Sequence, residues 1–535
     1  MQFDPLSNRY QSGRNMVFAE NGMVCTSQPL AAQAGLEILR RGGNAADAAI
    51  ATAAVLTVCE PTSNGIGGDA FALVWDNGTV HGLNASGPSP ASLSLDALSS
   101  QDPLTIKRHG WEPVTVPGVP AAWAALSEKF GKARFIDLFA DAIRYASEGY
   151  PVAPTTAYYW QRAYENYKKN FTGELFDEWF KVFAPNGRAP KAGEKWSSTG
   201  HAHSLEAIAF TKGESFYRGE IADLIGHYSR MTGGFITTTD LAHYKPEWVK
   251  PISVNYKGHD VWEIPPNGQG MVALSALGML NDDSVASMTA VERAHLQIEA
   301  LKLAFADAHA YVTDSRYMKI TADALLANAY LKKRRSMITD YAIDPVCGTP
   351  DRGGTVYLAT ADKNGMMVSY IQSNYMGFGS GIVIPGTGIA MQNRGCNFST
   401  DSSHPNCLAP SKRPYHTIIP GFLSKSGTAI GPFGVMGGFM QPQGHLQVII
   451  NSIDLAYNPQ EALDAPRFQW MEGKKVIVER SFENTIVDAL LLKGHDIAFS
   501  NDSGLFGRGQ IIWRNDVGVL CGGTEIRTDG TIAAF

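Results

Sequence analysis

Clusters of basic residues are missing from this sequence. Its 45 Lys and Arg stand against 51 Asp and Glu, a formal net charge of −6, and no segment gathers the cations that phosphate binding needs. No nucleic-acid partner is therefore expected. Long apolar runs are also missing: none approaches the roughly 20 residues of a membrane span, so no membrane partner is expected. Residues 1–10 are polar and lack the charged-then-apolar layout of a secretory leader, which points to the cytoplasm. Cysteine is sparse, with Cys25, Cys59, Cys347, Cys396, Cys407 and Cys521 scattered along 535 residues. They read as reduced thiols rather than as a disulfide or metal framework. The sequence contains no phosphate loop, no His-Glu-x-x-His helix and no Gly-x-Ser-x-Gly elbow. His295 and Glu299 can share a helix face, a pairing common on ordinary helices, and no metal or other cofactor is expected.

What is present is ordinary globular material, 44% hydrophobic and 18% charged, able to fill a sizeable core. Leu30, Ala34, Leu36, Ile38 and Leu39 suit an amphipathic helix that Gly42-Gly43 can end. Asn44 can cap an Ala-rich helix over 45–60, closed by Pro61. A glycine-rich turn over 64–68 leads into a buried strand over 71–75. Asn77-Gly78 signals a hairpin with its return strand over 79–84. Helical spacing dominates the middle, at 121–130, 135–149 and 290–313, with one short strand expected near 253–264. After Cys347 the pattern changes. Asp351-Arg352-Gly353-Gly354 is a break, followed by β-rich runs at 355–361 and 366–373 around an Asp-Lys-Asn-Gly turn. Strands at 475–479, 510–514 and 517–521 and a helix over 481–493 complete the pattern, which predicts sheets covered by helices.

Thr355 invites two readings. β-Branching suits any strand start. Alternatively, Gly353 and Gly354 let the backbone bend so that the Thr355 hydroxyl meets the Gly354 carbonyl. Attack there converts peptide to ester, and hydrolysis frees the Thr355 amine. A free α-amine, with a pKa of roughly 7.7–8.0, can act as base for its own hydroxyl. Such a site also needs unobstructed backbone N–H groups for an oxyanion. Gly437-Gly438 can supply them, or can be an ordinary strand-to-helix loop.

Taken together, these pieces resemble the γ-glutamyltransferase family of N-terminal-nucleophile hydrolases. The runs 41–49 and 60–68 look like its N-terminal signature, and Gly354-Thr355 with 362–365 resembles its processing junction. Phe378-Gly379-Ser380-Gly381, Lys412-Arg413-Pro414, Met436-Gly437-Gly438, Ala465-Pro466-Arg467 and the closing Glu525-Ile526-Arg527-Thr528-Asp529-Gly530 follow in family order. The resemblance implies an α+β fold, one four-layer αββα sandwich. It implies self-cleavage into a large chain, 1–354, and a small chain, 355–535, which together form that unit as a heterodimer. It also implies a nucleophile at Thr355, support from Ser373, and an oxyanion hole at Gly437 and Gly438.

Departures from the family pattern bear on the substrate. Where γ-glutamyl enzymes hold an arginine for the substrate's α-carboxylate, this chain has Asn84. The acidic residue facing the α-amine becomes Asn397, a Ser-Ser pair becomes His416-Thr417, and a pocket asparagine becomes Tyr375. Arg394 and Arg413 are the nearest cations for a carboxylate elsewhere in a substrate. These changes are closer to the family's cephalosporin or glutaryl acylases and oxamate amidohydrolase. The expected activity is hydrolysis of a small carboxylate-bearing amide. The alternatives are a genuine γ-glutamyl hydrolase or transferase, and a non-catalytic relative used for binding or assembly.

Overall fold

The computed structural model describes residues 14–99, 104–345 and 354–535. Residues 1–10, Cys347 and the Asp351-Arg352-Gly353 part of the junction lie outside the described residues. The site is carried by helix α1 (Ala45–Cys59), strands β1 (Asp69–Asp76) and β2 (Thr79–Ala85), and helix α2 (Ala290–Tyr311). Strands β3 (Gly354–Asp362), β4 (Met367–Tyr375) and β5 (Thr428–Met436), then helix α3 (Met440–Ile453), complete it.

Two seven-stranded sheets form the centre. One runs, in spatial order, Thr531–Ala534, Gly22–Thr26, β3, β4, β1, β2 and Glu247–Val249; every pairing in it is antiparallel. The other runs Val17–Ala19, Leu520–Thr524, Arg508–Arg514, β5, Gly421–Lys425, His259–Glu263 and Ile252–Tyr256. Side-chain alternation then decides what each face buries. On β1, Phe71, Leu73 and Trp75 point between the sheets, where Trp75 stacks on Phe422 at 5.7 Å. Ala70, Ala72 and Val74 point the other way, into a core shared with α1. Both faces of β1 are covered, which explains its unbroken apolar run. The second sheet is capped in turn by α2, α3 and the helix Gly270–Leu280. Helix, sheet, sheet, helix: the expected four-layer α+β sandwich is the observed fold.

Local signals account for much of the register. Asn44 closes a capping box with Asp47 at the start of α1, and Asn77 (φ 47°) and Gly78 (φ 81°) make the hairpin turn between β1 and β2. Three expectations need correction. The strand expected over 517–521 is Leu520–Thr524, because Gly518 (φ 89°) donates back to Asn515 O and makes the preceding residues a turn. The helix expected over 135–149 begins as a 3₁₀ turn, Phe135–Phe139, before the α-helix Ala140–Glu148. The tighter turn aligns Phe135 with Leu138, and both are buried. The single strand expected near 253–264 is a hairpin, turning at Lys257 (φ 48°) and Gly258 (φ 81°). Asn281 Oδ1 accepts from Lys257 N–H at 2.8 Å and holds that turn.

The closing motif is a clamp. Glu525 pairs with Arg467 at 2.9 Å and with Arg527 at 2.6 Å, and it accepts from Gly509 N–H. Asp529 accepts from Thr155 and Thr156 N–H at the start of the helix Pro154–Asn170. The five described cysteines are free thiols. No described helix is long and apolar enough to cross a membrane. Glu525→Gln leaves the buried Arg467 guanidinium without its carboxylate partner and Arg527 with Glu479 alone. It should destabilise the fold by about 3–5 kcal/mol, read as a lowered unfolding midpoint in a thermal melt; an unchanged midpoint contradicts the clamp.

Candidate active site

The β3–β4 ladder runs in register from Ala361–Met367 to Val356–Gln372, then slips to Gly354–Tyr375. Ser373 and Asn374 of β4 therefore face Thr355 alone. Such a bulge bends the strand and re-aims side chains. Tyr375 takes up the distortion with φ 75°, a left-handed conformation rare for a bulky residue. The glycine turn after α1 makes room beside it. A Cβ on Gly68 would meet Ser373 O at 2.5 Å, and one on Gly65 would meet the Asn374 amide at 2.9 Å. The 64–68 run is thus glycine-rich because the bulge packs directly against its backbone.

Thr355 is buried, and its Oγ1 donates to Ser373 Oγ at 3.2 Å. Ser373 Oγ also accepts from Tyr375 N–H at 2.7 Å and from Arg394 Nη2 at 3.3 Å. Arg394 is fully buried. Its Nη1 donates to Thr417 Oγ1 at 2.6 Å, and its guanidinium lies 4.2 Å from the Tyr375 ring centre. Burial pushes Arg394 down to about 10, opposed by the charges of Tyr375, Asp69 and Cys396. It stays a cation at neutral pH.

Opposite Ser373 on β1 sits Asp69, which accepts from Gly87 N–H at 3.1 Å, Gln392 Nε2 at 2.9 Å and His416 Nε2 at 3.1 Å. Burial pushes its carboxyl up to about 7, with Arg394 the foremost opposing charge. His416 Nδ1 accepts from Ile418 N–H, so its proton sits on Nε2 and faces Asp69. Burial, then the Arg394 and Arg413 charges, hold this imidazole neutral.

Gly437 (φ 134°) and Gly438 (φ 62°) form the turn from β5 into α3. Neither N–H donates to an acceptor among the described residues. Gln269 Nε2 bridges Gly438 O at 2.9 Å and Thr417 O at 2.6 Å, tying this turn to the His416-Thr417 segment. Gln441, in the first turn of α3, reaches Thr355 Oγ1 with its Nε2 at 3.5 Å. Sequence reasoning missed Asp69, Gln269 and Gln441. Asp69 directly follows the glycine turn and Gln441 follows Gly437-Gly438 by one helical turn, so proximity to those motifs was the available signal.

The remaining expected site residues are engaged by their neighbours. Asn84 is buried, donating to Asn267 Oδ1 at 3.0 Å and accepting from Ser86 N–H and Oγ. Asn397 Nδ2 donates to Tyr415 O at 3.1 Å. Arg413 pairs with Glu247 at 2.9 Å and donates from Nε to Ser86 O. Asn84 and Arg413 line one cavity of about 260 Å³ with Glu247, Asn267, Asp314 and Met318. The sandwich thus brings Thr355, Ser373, Tyr375, Arg394, His416 and Thr417 into one connected cluster, with Asn84 and Arg413 beside it. Far along α2, His295, Glu299 and His495 bring potential ligand atoms within 4.8 Å of one another. Lys302 already occupies Glu299 at 2.7 Å, and Ile343 N–H and Thr339 O take further partners. This cluster anchors residues 339–343.

The layered architecture, with β3 opening on Gly354-Thr355, is that of N-terminal-nucleophile hydrolases of the acylase type. Residues 31–535 match the gamma-glutamyltranspeptidase family model, and the chain belongs to that family of hydrolytic enzymes. The crystal structure of cephalosporin acylase from Bacillus halodurans superimposes with a TM-score of 0.97 at 57% identity, covering 100% of this chain and 99% of that one. The glutathione hydrolase-like YwrD proenzyme of Bacillus subtilis is 33% identical over 525 residues, covering 96% of this chain and 98% of its own. The oxamate amidohydrolase proenzyme of Klebsiella pneumoniae is 32% identical over 529 residues, with the same coverage of both chains.

The Asp69 carboxyl gives a pH signature. Its folded-state pKa lies above the unfolded one, so its contribution to stability is fully present below pH 4 and lost as pH rises through 7. Asp69→Asn removes this dependence. Between pH 4 and 8 the variant should gain roughly 3–4 kcal/mol relative to the parent, measured by denaturation at each pH. A constant difference contradicts the burial effect.

Proposed function

We propose that this chain is a self-processing amide hydrolase whose nucleophile is Thr355, acting on small amides that carry a carboxylate. The observation that carries the reading is the Thr355–Ser373 hydroxyl pair at the bulge, one residue after Gly354. In processing, Thr355 Oγ1 adds to the Gly354 carbonyl. The C–N bond breaks, an ester forms, and the nitrogen becomes the Thr355 α-amine. Water then hydrolyses the ester, leaving Gly354 as a carboxylate and residues 1–354 and 355–535 as a heterodimer.

In turnover the freed amine accepts the proton of its own hydroxyl as Oγ1 attacks the substrate carbonyl. The Gly437 and Gly438 N–H groups receive the oxyanion, a contribution of about 10²–10³ in rate for each such donor. The amine then protonates the leaving nitrogen, and water releases the acid from the acyl-enzyme. Ser373 orients the nucleophile, and Gln441 contacts the same hydroxyl.

Two neutral amides support the substrate class. Asn84 and Asn397 stand where γ-glutamyl enzymes place a cation and a carboxylate, and each is satisfied by neighbours. A zwitterionic glutamyl head would forgo charge-assisted contacts of about 1.5–3 kcal/mol each. Arg413, in the cavity with Asn84, is the cation better placed for a substrate carboxylate, which would compete with Glu247. The similarity to a cephalosporin acylase and to an oxamate amidohydrolase supports the same reading. The second reading, γ-glutamyl hydrolysis, draws on the glutathione hydrolase-like relative.

Side-by-side turnover of a glutaryl anilide, oxamate and a γ-glutamyl anilide separates the two: the first or second compound should be preferred, and turnover of the γ-glutamyl compound alone overturns the substrate assignment. Thr355→Ala should abolish both chain cleavage, read by denaturing mass analysis, and turnover. Cleavage persisting in that variant places the nucleophile elsewhere.

A further inference from the structure

Among the described residues, Arg394 is the cation joined to the Thr355 hydroxyl through a single intervening group, Ser373. Its Nη2 lies 3.3 Å from Ser373 Oγ, which lies 3.2 Å from Thr355 Oγ1. The guanidinium is therefore no further from that oxygen than those two hydrogen bonds laid end to end, and the Thr355 nitrogen is on the same residue. Its two terminal nitrogens donate to Ser373 and Thr417, its Nε has no acceptor among the described residues, and its side chain is wholly buried. A group so enclosed is badly placed to clamp a substrate carboxylate. It is well placed to act on charge that develops beside it.

We propose that Arg394 is a positioning residue that keeps the α-amine of processed Thr355 unprotonated in mildly acidic to neutral solution; the inference rests on the Thr355 reading above. A fixed positive charge a few ångströms away in a dry site disfavours a second cation. The amine must be neutral to take the hydroxyl proton, so this repulsion extends activity downward in pH. Among the described residues, the Thr355 hydroxyl contacts only the uncharged side chains of Ser373 and Gln441. Around Arg394, the Tyr375 ring and the Thr417 hydroxyl lie against the guanidinium, Cys396 lies on its own turn, and His416 is held neutral. Arg413 adds to the positive field acting on His416. Asp69 is the foremost carboxylate able to compensate Arg394, and burial keeps it protonated until about 7. The guanidinium charge is thus least opposed below neutrality, the range in which an ordinary α-amine would take up its proton.

The sign follows directly. A depressed amine pKa places the acid limb of kcat/KM low, and removing the cation moves that limb up. Arg394→Gln, once mass analysis shows a small chain beginning at Thr355, should shift the acid limb for glutaryl p-nitroanilide upward by about one pH unit. That is a roughly tenfold loss below the limb that disappears at pH 9. Arg394→Lys should retain the parental limb. An unshifted limb in processed Arg394→Gln, or a KM raised equally at every pH, overturns the proposal and makes Arg394 a structural or carboxylate-binding group. Should Arg394→Gln fail to fold, the parent protein still decides the matter. Acetic anhydride labelling of the Thr355 amine, followed by mass across pH, should titrate below the ordinary α-amine value of roughly 7.7–8.0, and a midpoint at or above that value refutes it. If the purified parent carries no Thr355 N-terminus, it is the nucleophile assignment that falls.

Discussion

The hydrogen-bond ladder between β3 and β4 fixes where Thr355 stands against Ser373. It holds its register through Val356–Gln372 and then slips, so that Thr355 faces two residues of β4. Because side chains alternate with a period of two, a slip of one residue elsewhere in this ladder would send Thr355 to the opposite face. Ser373 would then lose its hydroxyl partner. The glycines at 65 and 68 matter for the same reason: their missing side chains let the α1–β1 turn lie against the bulge. The glycines of the 64–68 run are thus explained by packing against β4 at the bulge.

Around this backbone feature the molecule buries a small set of opposed charges. Arg394 is a cation without an exposed atom to hydrate it, balanced by Asp69 only in part. Burying charge is expensive unless it is paired or hydrogen-bonded. Here the hydroxyls of Ser373 and Thr417 and the Tyr375 ring share the solvation of the guanidinium. The C-terminal clamp of Glu525, Arg467, Arg527 and Glu479 applies the same rule with full pairing and serves the fold. The two clusters differ in that one is fully paired and the other is not.

Legibility in the sequence followed the range of the interactions. Asn44, Gly42 and Asn77-Gly78 act through bonds to residues within a turn, and each marked its element correctly. Lys257-Gly258 was missed because its turn depends on Asn281 from another element. The 3₁₀ start at Phe135 depends on tertiary burial of aromatic side chains, which helical spacing does not distinguish. At the site, Thr355, Ser373 and Gly437-Gly438 emerged from short motifs and family order. Asp69, Gln269 and Gln441 did not, since what brings them to the site is the pairing of β1 with β4 and the docking of α3. Arg394 and Arg413 were legible as cations but not in their partners. One is enclosed by hydroxyls and the other is ion-paired at a cavity wall.

The proposed chemistry requires a covalent acyl-enzyme at Thr355. Rapid acid quench during turnover of a glutaryl anilide, followed by peptide mass mapping, measures it. The expected result is a glutaryl adduct on the peptide that begins at Thr355, borne on the side-chain oxygen. An adduct on any other residue, or steady turnover from a chain still joined through Gly354-Thr355, contradicts it.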